Sequence, residues 1–107
     1  MIQVTYHRQY HRVTVEGHAC SGEPGHDLVC AAASALAYTL AANVANLADN
    51  GNARIESMEL TSGRAEISCK PRSGAKATVK LIFQAVCVGF EILAKDYSQY
   101  IRYEILG

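Results

Sequence analysis

All four histidines of this chain, His7, His11, His18 and His26, fall within its first 26 positions, and two of its four cysteines, Cys20 and Cys30, flank the last of them. A thiol and an imidazole brought together can perform nucleophilic catalysis, the sulfur attacking a carbonyl and the ring carrying the proton. Cys30 stands apart by position. Asp27 is a suitable helix N-cap, and with that cap Cys30 becomes the third helical residue, beside backbone amides without intrahelical partners at the positive end of the dipole. Ordinary pKa values of about 8.5 for a thiol and about 6.5 for an imidazole oppose proton transfer by roughly 2.7 kcal/mol. A helix terminus offsets about 0.5–2 kcal/mol of this, and a contacting imidazolium lowers the thiol further.

Two histidines are candidates for the partner. His18 closes a strand and is held by it, whereas His26 rides on Gly-Pro-Gly, so rigid placement favours His18. Ser34 lies one helical turn beyond Cys30; its hydroxyl can donate to the sulfur or bond back to the Cys30 carbonyl, and the sequence does not separate the two. Asp27 opposes thiolate formation unless it faces the histidine. Cys69 and Cys87 read as small core residues, and His7 and His11, beside a turn, as solvent-facing ones. His18, Cys20, His26 and Cys30 also offer nitrogen and sulfur ligands of the kind zinc accepts, but no CxxC pair supports that reading.

The elements that must hold these residues are legible from periodicity. Ile2–His7 and Arg12–Glu16 alternate apolar and polar, predicting two strands joined at Arg8–His11. A loop over Gly17–His26 leads into a long Ala-rich helix, ended by Asn50-Gly51-Asn52. Arg54–Thr61 and Arg64–Lys70 predict a hairpin turning at Ser62-Gly63, with Ala65, Ile67 and Cys69 on one face. Lys76–Tyr97 carries Val79, Phe83, Val86, Phe90 and Leu93 at helical spacing, and Tyr100–Leu106 alternates again through Ile101, Tyr103 and Ile105. The order ββαββαβ predicts an α+β fold in two layers, a mixed sheet covered by two helices. Leu81, Ile82, Val88 and Ile92 make the second helix more apolar than one sheet requires, which predicts a homodimer.

Composition narrows the function classes. The 107 residues suit a single domain, 1–107. Ten Lys+Arg balance ten Asp+Glu, so no basic surplus points to direct nucleic-acid binding. Leu28–Ala48 has no formal charge over 21 residues, about a bilayer's span. Nine alanines, five polar interruptions and flanking Asp27 and Asp49 instead predict a buried helix and no membrane contact. The start MIQVTYHRQY lacks a secretory pattern, predicting a cytoplasmic protein with reduced thiols.

Gly17-His18-Ala19, a short Gly-bearing loop, and Gly25-x-Asp27-Leu28-Val29-Cys30-Ala31-x-x-Ser34-Ala35 closely resemble the ribosomal-processing cysteine protease family. Val79-Lys80-Leu81 and Leu93-Ala94-x-Asp96-Tyr97-x-x-Tyr100-Ile101 resemble its C-terminal pattern, so nearly the whole chain is covered. The resemblance implies a bacterial endopeptidase that removes a short N-terminal extension from a large-subunit ribosomal protein, the one designated L twenty-seven. It implies Cys30 as nucleophile, His18 as general base and proton donor, and Gly17, Asp27 and Ser34 as supporting positions. Ala19, Cys20, Ser21, Gly22, Glu23, Pro24, Gly25 and His26 match a mobile loop that the substrate peptide must displace. Small homodimers are implied, with no cofactor and no metal. Under this reading the helix-start amides, that of Cys30 included, are the expected oxyanion donors. Cys20 sits at a variable loop position and Pro24 stiffens a segment expected to move. The competing readings are a zinc-binding small domain and a non-catalytic ribosome-associated module.

Overall fold

Alternation in the strands and helical spacing in the helices place nearly all large apolar residues on one side of a single sheet. The computed structural model describes residues 1–17 and 26–107, with the side chains of 26 and 27 excepted. The elements are β1 (Ile2–His7), a 3-10 turn (Arg8–Tyr10), β2 (Arg12–Glu16), α1 (His26–Asp49), β3 (Ala53–Thr61), β4 (Arg64–Pro71), α2 (Lys76–Asp96) and β5 (Ile101–Leu106). The α+β order ββαββαβ is therefore observed. The strand order is β3-β4-β2-β1-β5, antiparallel throughout except that β1 and β5 run parallel. A parallel neighbour requires a crossover, and here β5 returns beside β1 only after all the intervening elements.

Register explains the core. Val4 pairs with Val15 and Tyr103, Tyr6 with Val13 and Ile105, and Val13 with Ile67, so these side chains share the face that the helices cover. α1 lays Val29, Ala33, Ala37, Leu40, Val44 and Leu47 against it, and α2 lays Val79, Phe83, Val86, Cys87 and Phe90. Phe83 stacks on Tyr6 with ring centroids 6.1 Å apart. The helices meet closely at Gly89, where a Cβ would come within 2.6 Å of the Leu36 Cδ2. Cover fades at the sheet edges. Ile105 on β5, and Ile55, Met58 and Leu60 on β3, share the covered face by register yet are exposed, because an edge strand has a neighbour on one side only.

Both helices are long and apolar enough to cross a membrane by composition, but each buries one stripe on this sheet. Cys69 and Cys87 are core residues as expected. His11 is not solvent-facing as expected: it is 8% exposed, with its ring edge-on to Phe83 at 6.0 Å. The reason lies in the backbone, which turns left-handed at His11 (φ 48°) after the 3-10 turn and brings the residue inward.

Candidate active site

α1 begins at His26, one residue before the expected cap, so Asp27 lies inside the first turn and Cys30 is fifth in the helix, not third. Helix starts are set by local capping contacts that a pattern reading locates only to within a residue or two. The consequence is chemical. A helix leaves its first four amides without intrahelical partners, and Cys30 is past them, so its own N–H is spent within the helix and the available donors are those upstream. The amides without intrahelical partners at this helix start therefore precede Cys30 and do not include its own.

Cys30 is half-buried and packs against the core from the start of α1. It opens onto a cleft of about 400 Å³ between α1 and the turn of the β3–β4 hairpin. Ser34, Ala37 and Tyr38 continue the α1 wall, Gly17 closes one end, and Leu60–Ala65 form the opposite wall. Ser34, expected on the Cys30 face, is in the cleft, but its hydroxyl makes neither proposed bond among the described residues. Further along the same helix Thr39 does bond back, its Oγ1 donating to the Ala35 carbonyl at 2.7 Å.

Gly17 has a specific backbone reason to be glycine. Its φ is +103°, a Cβ there would overlap the Met1 carbonyl oxygen, and its N–H donates to the Gly63 carbonyl at 2.9 Å. The exit of β2 is thereby tied to both the start of β1 and the hairpin turn. Arg64 adds a second tie: its Nη1 donates to Glu16 Oε1 at 2.7 Å, its Nη2 to Glu66 at 2.9 Å and its Nε to Glu59 at 3.2 Å. Hydrogen bonding to Glu16 and then to Glu59 pushes the Arg64 pKa up, so the charge is held on the cleft wall.

A family model described as cysteine protease Prp matches residues 1–102. The chain belongs to that family. Among solved structures it is similar to SMU.848 from Streptococcus mutans (28% identity, TM-score 0.70, 99% of this chain and 94% of that one). It is also similar to an essential ribosomal-processing protease Prp from S. aureus in complex with a covalently linked product peptide (25% identity, TM-score 0.68, 98% and 97%). A structure of the S. aureus Prp with a substrate peptide shares the fold at 24% identity and TM-score 0.70, over 98% and 97% of the two chains. No curated protein sequence matches the chain significantly.

Of the site residues the sequence suggests for a Prp member, Cys30, Ser34 and Gly17 come together at one cleft. His18 and Ala19–Gly25 lie outside the described residues, as do the side chains of His26 and Asp27. The zinc reading, resting on His18, Cys20 and His26, falls on the same segment. The hairpin wall was missed from sequence. Its one signal, the pairing of Arg64 with Glu16, depends on a cross-strand register between residues 48 positions apart.

Proposed function

We propose that this Prp-family chain is a cysteine endopeptidase that removes the short N-terminal extension of the large-subunit ribosomal protein designated L twenty-seven, using Cys30 and His18 as its dyad. The observation that carries the reading is the placement of Cys30, at the start of α1 and open to a peptide-sized cleft, in a chain whose family is a cysteine protease. The covalently linked product peptide of the S. aureus relative supports the same chemistry.

In this mechanism the Cys30 sulfur attacks the scissile carbonyl, and the developing oxyanion is met by the unpaired amides of the first α1 turn. The tetrahedral intermediate collapses, its C–N bond breaks, and His18 gives its proton to the leaving amine. Water then adds to the thioester with His18 as base, releasing the acid product and the thiol. Gly17, Asp27 and Ser34 support the site, and residues 19–26 are displaced by the entering peptide. The enzyme works in the cytoplasm, where its thiols stay reduced.

The chain acts as a homodimer. Leu81, Val88 and Ile92 form an exposed apolar stripe on α2, 66%, 53% and 54% accessible, which a second copy would cover. Val88→Glu is expected to give a monomer by sedimentation; an unchanged mass would discard that interface.

The deciding experiment incubates the protein with a peptide copied from the host's own L twenty-seven N-terminus and reads cleavage by mass. Cys30→Ala and His18→Ala are expected to abolish cutting, while Cys69→Ala and Cys87→Ala retain it. Cleavage that persists in Cys30→Ala would sink the proposal.

A further inference from the structure

The sheet has a second concave end, remote from Cys30. There the 3-10 turn, the bulge in β3, the end of β4 and the start of α2 surround a cleft of about 560 Å³. The start of α2 is unusually bare. Its N-cap is Ala75, no side chain caps it and its first turn holds no acidic residue. The Ala75 amide is spent on the Arg72 carbonyl at 3.0 Å and that of Val79 on Ala75 at 3.0 Å. Those of Lys76, Ala77 and Thr78 therefore have no intrahelical partner, and they sit at the positive end of a 21-residue helix.

The side chains agree with the dipole. Lys70, Arg72 and Lys76 line the cleft, and none of them makes an ion pair among the described residues. Among the described residues Glu56 is the one acid on its wall, the extra residue at the register shift between Ile55 and Ser57. In a chain of zero net charge this is a local cationic surplus.

His11 points to an occupant independently of the helix. It is 8% exposed, lines the cleft, and its imidazole makes no hydrogen bond among the described residues. The ring feels Lys76 and Lys80 from α2 and Glu56 from β3, so it faces the groups that ring the cleft. Among the described residues its ring nitrogens are not fully buried atoms without a partner, so the little of the ring that is exposed opens onto the cleft, where a ligand can meet it. Burial and the two lysines hold its pKa below the ordinary value, and an anion beside it would counter both lysines.

We propose that this cleft binds the terminal phosphate of a small phosphomonoester, held by the α2 amides, Arg72, Lys76 and the His11 imidazole. A dianionic terminal phosphate matches a surplus of more than one positive charge and can present three oxygens to converging donors. A backbone phosphodiester carries one charge and two free oxygens, and the bare helix start can receive it only from the side. The site stands apart from the Cys30 cleft and does not depend on the peptidase reading.

The test follows backbone amide NMR shifts in the full chain on addition of inorganic phosphate, ribose 5-phosphate, and an RNA oligonucleotide without terminal phosphates. Saturable shifts centred on Lys76–Thr78 are expected with the first two, tighter for the ester, and equal in Cys30→Ala. Arg72→Gln with Lys76→Gln, both exposed positions, is expected to weaken binding by about tenfold or more. Sulfate keeps its charge across the useful range, so its binding is expected to tighten from about pH 7.5 to about pH 5.5 in the wild type but not in His11→Asn. His11→Asn keeps a residue tolerant of left-handed backbone. The proposal is overturned by shifts that do not saturate, by an undiminished affinity in the charge variant, or by RNA binding at this site more tightly than the ester.

Discussion

A cysteine lies towards each end of the sheet, and the two settings are chemically opposite. At one, Cys30 sits half-buried at a helix start on an open cleft. At the other, Cys69 lies fully buried on β4 beside His11, and burial, with Glu56 nearby, pushes its pKa up to about 11. Residue type therefore does not make a nucleophile here. Desolvation at β4 keeps the Cys69 thiol protonated, whereas Cys30 is only half-buried and opens onto a cleft. Cys87, pushed up to about 11 by burial, follows Cys69.

Alkylation tests this contrast most severely. At neutral pH a thiol about two units above its ordinary value carries about a hundredfold less thiolate. Iodoacetamide should therefore modify Cys30 while leaving Cys69 and Cys87 intact in the folded chain, by peptide mass mapping. Comparable labelling of Cys69 would erase the distinction between the two ends.

A smaller effect is expected at the tie between strands. Gly17→Ala forces a Cβ against the Met1 carbonyl at φ +103°, costing about 1–3 kcal/mol of strain or a local backbone shift. Peptide cleavage should drop by more than the urea midpoint implies, because the β2 exit moves relative to Cys30. Equal proportional losses would make Gly17 a stability residue alone.

The smallest effect belongs to His11. Its folded pKa is lowered, so the native state holds the ring neutral where the unfolded chain has begun to protonate it. Stability contributed this way is complete above about pH 6.5 and is lost as pH falls below it. His11→Asn should flatten the acid-side slope of stability between about pH 6.5 and about pH 5 relative to wild type. An unchanged slope would place the ring in solvent.

Much of this was readable in advance, for reasons particular to each element. Val13 and Val15, or Val79, Phe83 and Phe90, announce their period because one face of each element is buried. Cys30 was legible as a helix-start thiol, and its motif pointed to the family. His11 was misjudged because a left-handed turn, not hydrophobic pattern, decides its burial. The α1 start was off because caps are local contacts, and the two-residue difference moves Cys30 from third to fifth in the helix, past the amides without intrahelical partners.

The sequence alone determined the elements, their order, the apolar faces and the thiol at the head of α1, since these follow from local periodicity and neighbouring residues. Tertiary structure decided the strand order β3-β4-β2-β1-β5, the hairpin turn facing Cys30, the Arg64 tie to Glu16 and the cationic cleft around His11. Each of those joins residues far apart in the chain, and such pairings are chosen by register and burial across the whole sheet, which local pattern does not encode.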